Sequence, residues 1–219
     1  HRDLHSFPTR RSSDLFGGYT FRYKKFLELT NENSTNREKI IAYLNCHERD
    51  WVPDQEQVFG REIKFDWNEI YKILESYFDN SLPRLTQVFL ADYNGKLTYN
   101  MNPLYKLIHE HFAIQNIAPI QNEGLIQYSC TLPNDQKYDS KLNLGKIILL
   151  KLLEKYKVKN LISSNKQGFS VNTSKLWNSY GKKIFLHYFD KSRLVEDQII
   201  NLDWVQRYEI GRASCRERV

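Results

Sequence analysis

Cysteine is scarce: the 219 residues hold three, and one of these, Cys215, stands close to the C-terminus. Two isolated thiols, Cys46 and Cys130, cannot make a disulfide framework and are expected reduced, as in a cytoplasmic protein. No stretch approaches the roughly 18 consecutive apolar residues of a membrane-spanning helix, so no membrane partner is expected. His47, His109, His111 and His187 have no paired spacing with cysteine, which excludes a zinc pattern. His109 and His111 lie two apart and face different sides of a helix. The chain has no G-x-G-x-x-G, no P-loop and no G-x-S-x-G, so nothing supports a nucleotide-cofactor, kinase or lipase reading. Alanine is also scarce beside plentiful Asn and Lys, a bias of AT-rich coding rather than chemistry.

Both ends read as translated DNA of one kind. His1–Leu15 back-translates to a sequence resembling a short-read library adapter, and 209–219 back-translates to its complement, so both tails are set aside. They carry six arginines against four acids, which lowers the formal net charge from +6 to +4. The remainder, 16–208, opens without a methionine, since Met101 is the only one. Flanking domains are expected beyond it. Its size suits one domain with a hydrophobic interior.

Residues 16–38 read as a lead-in arm, with Gly17-Gly18, an aromatic and basic stretch, and a polar loop. Residues 39–208 read as one α/β domain. Lys39–Asn45 is a short apolar run, predicted as a buried strand. Asp66, three residues before Glu69, predicts a capping box and a helix carrying Trp67, Ile70, Leu74 and Phe78 on one face. Thr86–Asp92 is predicted as a strand ending in Asn94-Gly95 turn chemistry. Asn102-Pro103 starts a helix. Asn116–Ile120, Gly124–Leu132, Lys159–Ser163 and Lys182–His187 are further predicted strands, while Leu142–Tyr156 and Val171–Tyr180 are predicted helices. Such alternation predicts a Rossmann-like parallel sheet with helices on both faces, whose ligands bind beyond the carboxyl ends of the strands.

The order of elements resembles the NYN branch of the PIN-like nuclease fold. The resemblance runs from Ile40-Ile-Ala-Tyr-Leu-Asn45 through Lys141-Leu-Asn143-Leu-Gly-Lys146 and Leu161-Ile-Ser-Ser-Asn165-Lys-Gln-Gly-Phe-Ser170. It continues to Gly181-Lys-Lys-Ile-Phe185 and Lys191–Leu202. It implies a site where carboxylates hold Mg²⁺ or Mn²⁺ to generate hydroxide and stabilise a scissile phosphate. The positions matching those acids are Asn45, Asn143 and Asn165, and neutral amides cannot hold such an ion tightly. The resemblance therefore implies a degenerate site without metal or cofactor: a cytoplasmic RNA-binding or interaction module on a nuclease fold.

Lys141, Lys146, Ser163, Ser164, Lys166 and Ser170 are the predicted nucleic-acid contacts, through lysine charge and backbone N–H groups at a helix start. Tyr138, Phe169 and Trp177 are candidates for base stacking. The enzymatic alternative draws displaced acids from Glu48, Asp50, Asp92 and Asp139, giving a metal-dependent endoribonuclease. The structural alternative is an α/β scaffold of a larger protein. Acids at loop positions are more often simply solvated, and lysines at helical spacing are more often the wet side of a helix.

Overall fold

Thr35 and Glu38 decide the state of the apolar run that follows them. In the computed structural model the Thr35 side chain accepts from the Glu38 backbone N–H, and the Glu38 carboxylate accepts from the Thr35 backbone N–H at 2.8 Å. This reciprocal cap satisfies two N–H groups that a helix start would otherwise leave open. Residues 36–46 are therefore helix, and the strand expected at 39–45 is corrected. Ile40, Tyr43, Leu44 and His47 fall on the i, i+3, i+4, i+7 face, and the first three are buried.

The structure describes residues 13–47, 55–115, 121–161, 173–189 and 191–207. The chain divides into two units, 1–51 with 69–162 and 52–68 with 163–219. In the first, a 3-10 turn (Ser13–Phe16) leads into α1 (Thr20–Leu29) and α2 (Asn36–Cys46). These are followed by α3 (Trp67–Phe78) and α4 (Arg84–Ala91). The coil then widens into a π-helical stretch (Asp92–Met101) that runs on into α5 (Asn102–His111). After α6 (Glu123–Thr131) come β1 (Tyr138–Asp139), β2 (Leu144–Gly145) and α7 (Ile147–Lys155).

The core between α1, α2, α3 and α4 is aromatic. Tyr23, Phe26 and Phe78 are fully buried. Tyr23 meets Phe89 and Tyr138 edge-on at 5.0 and 5.3 Å between centroids, and Phe78 packs against Phe26 and Tyr43 at 6.1 and 5.5 Å. Each such ring contributes about 2–3 kcal/mol by leaving water, plus about 0.5–1.5 kcal/mol where edge meets face. Polar ties fix the helix ends. Gln87 donates through Nε2 to Phe78 O, Asn80 O and Asn80 Oδ1 at 3.0–3.1 Å, joining the end of α3 to α4. Arg84 Nη1 donates to Thr30 O and Oγ1, closing the C-terminus of α1.

A second cluster joins Leu15, the last residue of the N-terminal tail set aside above, and Phe16 to Leu97, with Ile148 and Leu149 of α7 against it. Here the backbone runs close. A Cβ on Gly17, which has φ +88°, would collide with Lys137 O, and one on Gly145 would collide with Gly17 O. The two strands form an antiparallel pair, and Asp139 Oδ1 closes their turn by accepting from Lys141 N and Leu142 N.

The second unit is held by an antiparallel bridge between Phe59 and Ile200 and by Asn201, which donates from its backbone to Val58 O and from its side chain to Gln57 O. Phe65 stacks on Phe59 at 5.1 Å and meets Trp67 edge-on at 5.1 Å. α8 (Lys182–Tyr188) and α9 (Leu202–Arg207) complete it, with Phe185 packed on Trp177 and Phe189.

The Rossmann-like α/β architecture implied by the resemblance is overturned: among the described residues the sheet is one two-stranded antiparallel pair, with no parallel ladder. Segments 86–92, 124–132 and 182–187, predicted as strands, fall in α4 and the residue after it, in α6, and in α8. Lys159–Leu161 is a 3-10 turn, and the predicted strand 116–120 lies outside the described residues. The helix predicted over 142–156 begins at Ile147, because Leu144-Gly145 is the second strand. No helix among the described residues is long and apolar enough to cross a membrane.

Candidate functional site

Asp92 sits where α4 gives way to the π-helical stretch, and its side chain turns inward at 4 % exposure. Oδ1 accepts from the Tyr43 hydroxyl at 3.0 Å and lies 3.1 Å from His47 Nε2. His47 Nδ1 stands 2.8 Å from Tyr43 O. Each ring nitrogen thus faces an oxygen acceptor, Tyr43 O on one side and Asp92 Oδ1 on the other. α2 supplies both partners because Tyr43 and His47 are one helical turn apart. Burial, then the charge of Asp92 and its hydrogen bond, hold the Tyr43 hydroxyl well above the usual tyrosine range; Arg22 opposes this and Tyr23 adds to it.

Beyond this cluster lies a cavity of about 30 Å³ lined by Leu15, Thr86, Phe89, Leu90, Asp92, Tyr93, Leu97, Ser129, Cys130 and Lys137. Asp92 Oδ2 is buried and accepts no hydrogen bond from any described residue. Lys137 is buried too, with Nζ 4.9 Å from the centroid of the Phe89 ring. Burial pulls its ammonium below the usual lysine value, and Cys130 acts weakly the other way. A carboxylate and an amine thus line one small cavity. It admits about two water-sized molecules and is far too small for a nucleotide or an amino acid.

The positions singled out in the sequence disperse. Asn45 is half-buried on α2, where its carbonyl accepts from Lys25 Nζ at 2.9 Å. Asn143 is exposed in the β1–β2 turn at φ +47° and accepts from the Tyr138 hydroxyl. Asp139 spends its Oδ1 on that turn, Lys141 is exposed, and Lys146 takes a left-handed conformation before α7. Tyr138 is buried in the core, where no base can stack. Glu48, Asp50, Asn165, Ser163, Ser164, Lys166 and Ser170 lie outside the described residues. Among the described residues no group of three or more His, Cys, Asp or Glu side chains could hold a metal ion. Of the two candidate acids among the described residues, Asp92 enters the buried site and Asp139 does not. Tyr43, His47 and Lys137 were missed, and the one sequence signal for the first two was the Thr35–Glu38 cap, which places them on one helix.

The protein is thus a predominantly helical chain with a carboxylate–imidazole–phenol cluster beside a small, mostly apolar cavity. A family model described as asparagine synthase matches residues 12–212. The chain belongs to the asparagine synthase family, and this overturns the NYN and PIN-like assignment together with the RNA-binding, nuclease and scaffold readings drawn from it. No curated protein and no solved structure matched the chain.

Proposed function

We propose that this chain is part of an amide-forming protein of the asparagine synthase kind, acting on a side-chain carboxylate such as that of aspartate. The family match over residues 12–212 carries the reading. Converting a carboxylate and ammonia to a carboxamide is uphill in water, so the carboxylate oxygen must first become a leaving group. Ammonia then adds to the acyl carbon, loses a proton and expels that oxygen. A nucleoside triphosphate is the general source of such activation. The described residues do not fit one: the cavity beside Asp92 is too small, and no acidic cluster stands ready for its metal. No step of the activation is therefore assigned to them. What they offer is a buried acceptor, Asp92 Oδ2, and a buried amine, Lys137, at a water-sized space.

The test is direct. The full chain is incubated with aspartate, ATP, Mg²⁺ and ¹⁵N-ammonium chloride, and labelled asparagine is sought by mass spectrometry. Its appearance, dependent on chain and ATP, supports the reading; its absence with all substrates saturating overturns it.

A further inference from the structure

Cys130 and Lys137 are walls of the same small chamber, one reached from outside and the other sealed within. Cys130 is an exposed thiol near the end of α6, so a small oxidant in water can meet its sulfur. Lys137 is 3 % exposed, and its Nζ lies over the Phe89 ring without a hydrogen bond or ion pair from any described residue. A buried amine with no acceptor is costly, and it is also a nucleophile with no other commitment. Local hydrogen bonds bring the two groups to one place. Thr131 Oγ1 donates to Tyr128 O where α6 ends, and Lys137 N donates to Asn134 O at 3.0 Å where the chain folds back. The chamber, of about 30 Å³, holds one or two water-sized molecules, which sets the gap between its walls. The two side chains are close enough to interact electrostatically.

We propose that Cys130 and Lys137 are a redox modification site, joined by a sulfur–nitrogen cross-link when the chain meets hydrogen peroxide. The Cys130 sulfur attacks a peroxide oxygen, the O–O bond breaks, and a sulfenic acid and water result. The deprotonated amine of Lys137 then attacks that sulfur. An S–N bond forms, the S–O bond breaks, and the departing hydroxide takes a proton from nitrogen to leave as a second water. Sulfur gives up the two electrons that peroxide accepts. A thiol reverses the link by attacking the sulfur and releasing the amine. Cys46, buried in α2, is shielded from the oxidant and has no part in this chemistry. The link ties the end of α6 to the start of β1 across the chamber, and it does not depend on the amide-forming reading.

The experiment treats the full chain with hydrogen peroxide and maps it by trypsin digestion and mass spectrometry. Trypsin does not cut after a cross-linked lysine. The expected product is a peptide that contains Cys130, runs uncut through Lys137 to Lys141, and is lighter by H₂ than its sequence. Dithiothreitol is expected to restore the ordinary mass and the cut. Cys130→Ser and Lys137→Met are each expected to abolish the product, and in Lys137→Met the unprotected Cys130 proceeds to sulfinic acid instead. Wild type in which Cys130 stays reduced under excess peroxide, or is oxidised while Lys137 is cut normally, would overturn the site. So would an equal yield of the linked peptide from chain unfolded in urea, since the link would then owe nothing to the chamber.

Discussion

His47 and Asp92 stand forty-five positions apart in sequence, yet Nε2 and Oδ1 lie 3.1 Å from each other with both side chains largely withdrawn from water. With the Tyr43 hydroxyl on the same oxygen, the contact joins α2 to the end of α4. Removing the carboxylate strands the buried Tyr43 hydroxyl and takes its partner from the half-buried His47 ring. Asp92→Ala is expected to lower unfolding free energy by about 3–5 kcal/mol, measured by urea denaturation. A loss below about 1 kcal/mol would show that the cluster is solvated.

Lys137 gives the opposite sign. Its folded-state pKa is lowered, so the folded chain binds fewer protons than the unfolded chain between that value and the ordinary 10.5. Stability therefore rises with pH through that window and is lost as pH falls through the folded value. Lys137→Met is expected to be more stable than the wild type at neutral pH, with the gap closing as pH passes 10.5. Melting temperatures of both proteins across the alkaline range check this.

The Thr35 cap can be tested from both ends. Thr35→Ala is expected to cost about 1 kcal/mol, seen as a lower melting temperature. Glu38 is held below the ordinary carboxylate value by the Thr35 backbone N–H first and its hydroxyl second. Its contribution is thus present above 4.5 and disappears as pH falls through the lower folded value. In Thr35→Ala this acid-side loss should shrink, and carboxylate titration by NMR would show Glu38 moving back toward 4.5.

Gly17 and Gly145 should each resist replacement. Gly17→Ala puts a side chain at φ +88° against Lys137 O, and Gly145→Ala drives one into Gly17 O. Each is expected to cost more than about 1 kcal/mol. Gly95→Ala, where nothing lies within 4 Å, should cost nothing or stabilise the coil. Denaturation midpoints of the three variants rank them.

The sequence made some of this legible and hid the rest for definable reasons. Asp66 does cap the helix that follows, accepting from Asn68 N, and α3 ends at Phe78 as its apolar face indicated. Asn102-Pro103, expected to start a helix, instead lies where the π-helical stretch runs on into α5, with Asn102 already helical at φ −64° and ψ −46°. The failures are short apolar runs, Ile40–Leu44 above all, where periodicity cannot separate a buried strand from a buried helix. Flanking caps decide such cases: Thr35–Glu38 for α2 and Asn122, which accepts from Gly124 N, for α6. The site was half legible. Asp92 stood among the candidate acids, but its partners, Tyr43 and His47, come from a run taken for a strand. Lys137 carried no sequence signal, since its burial against Phe89 comes from tertiary packing.

The meeting of Gly17 with Gly145 and with Lys137 O is main chain against main chain. Such a seam has no rotamers to absorb error, so covalent geometry alone sets how far the Leu15–Phe16 segment stands from the hairpin. Leu15 and Lys137 are both walls of the Asp92 cavity. The width of that chamber is therefore gauged by two residues that never touch its contents, and a single methyl group at either glycine would retune what it admits.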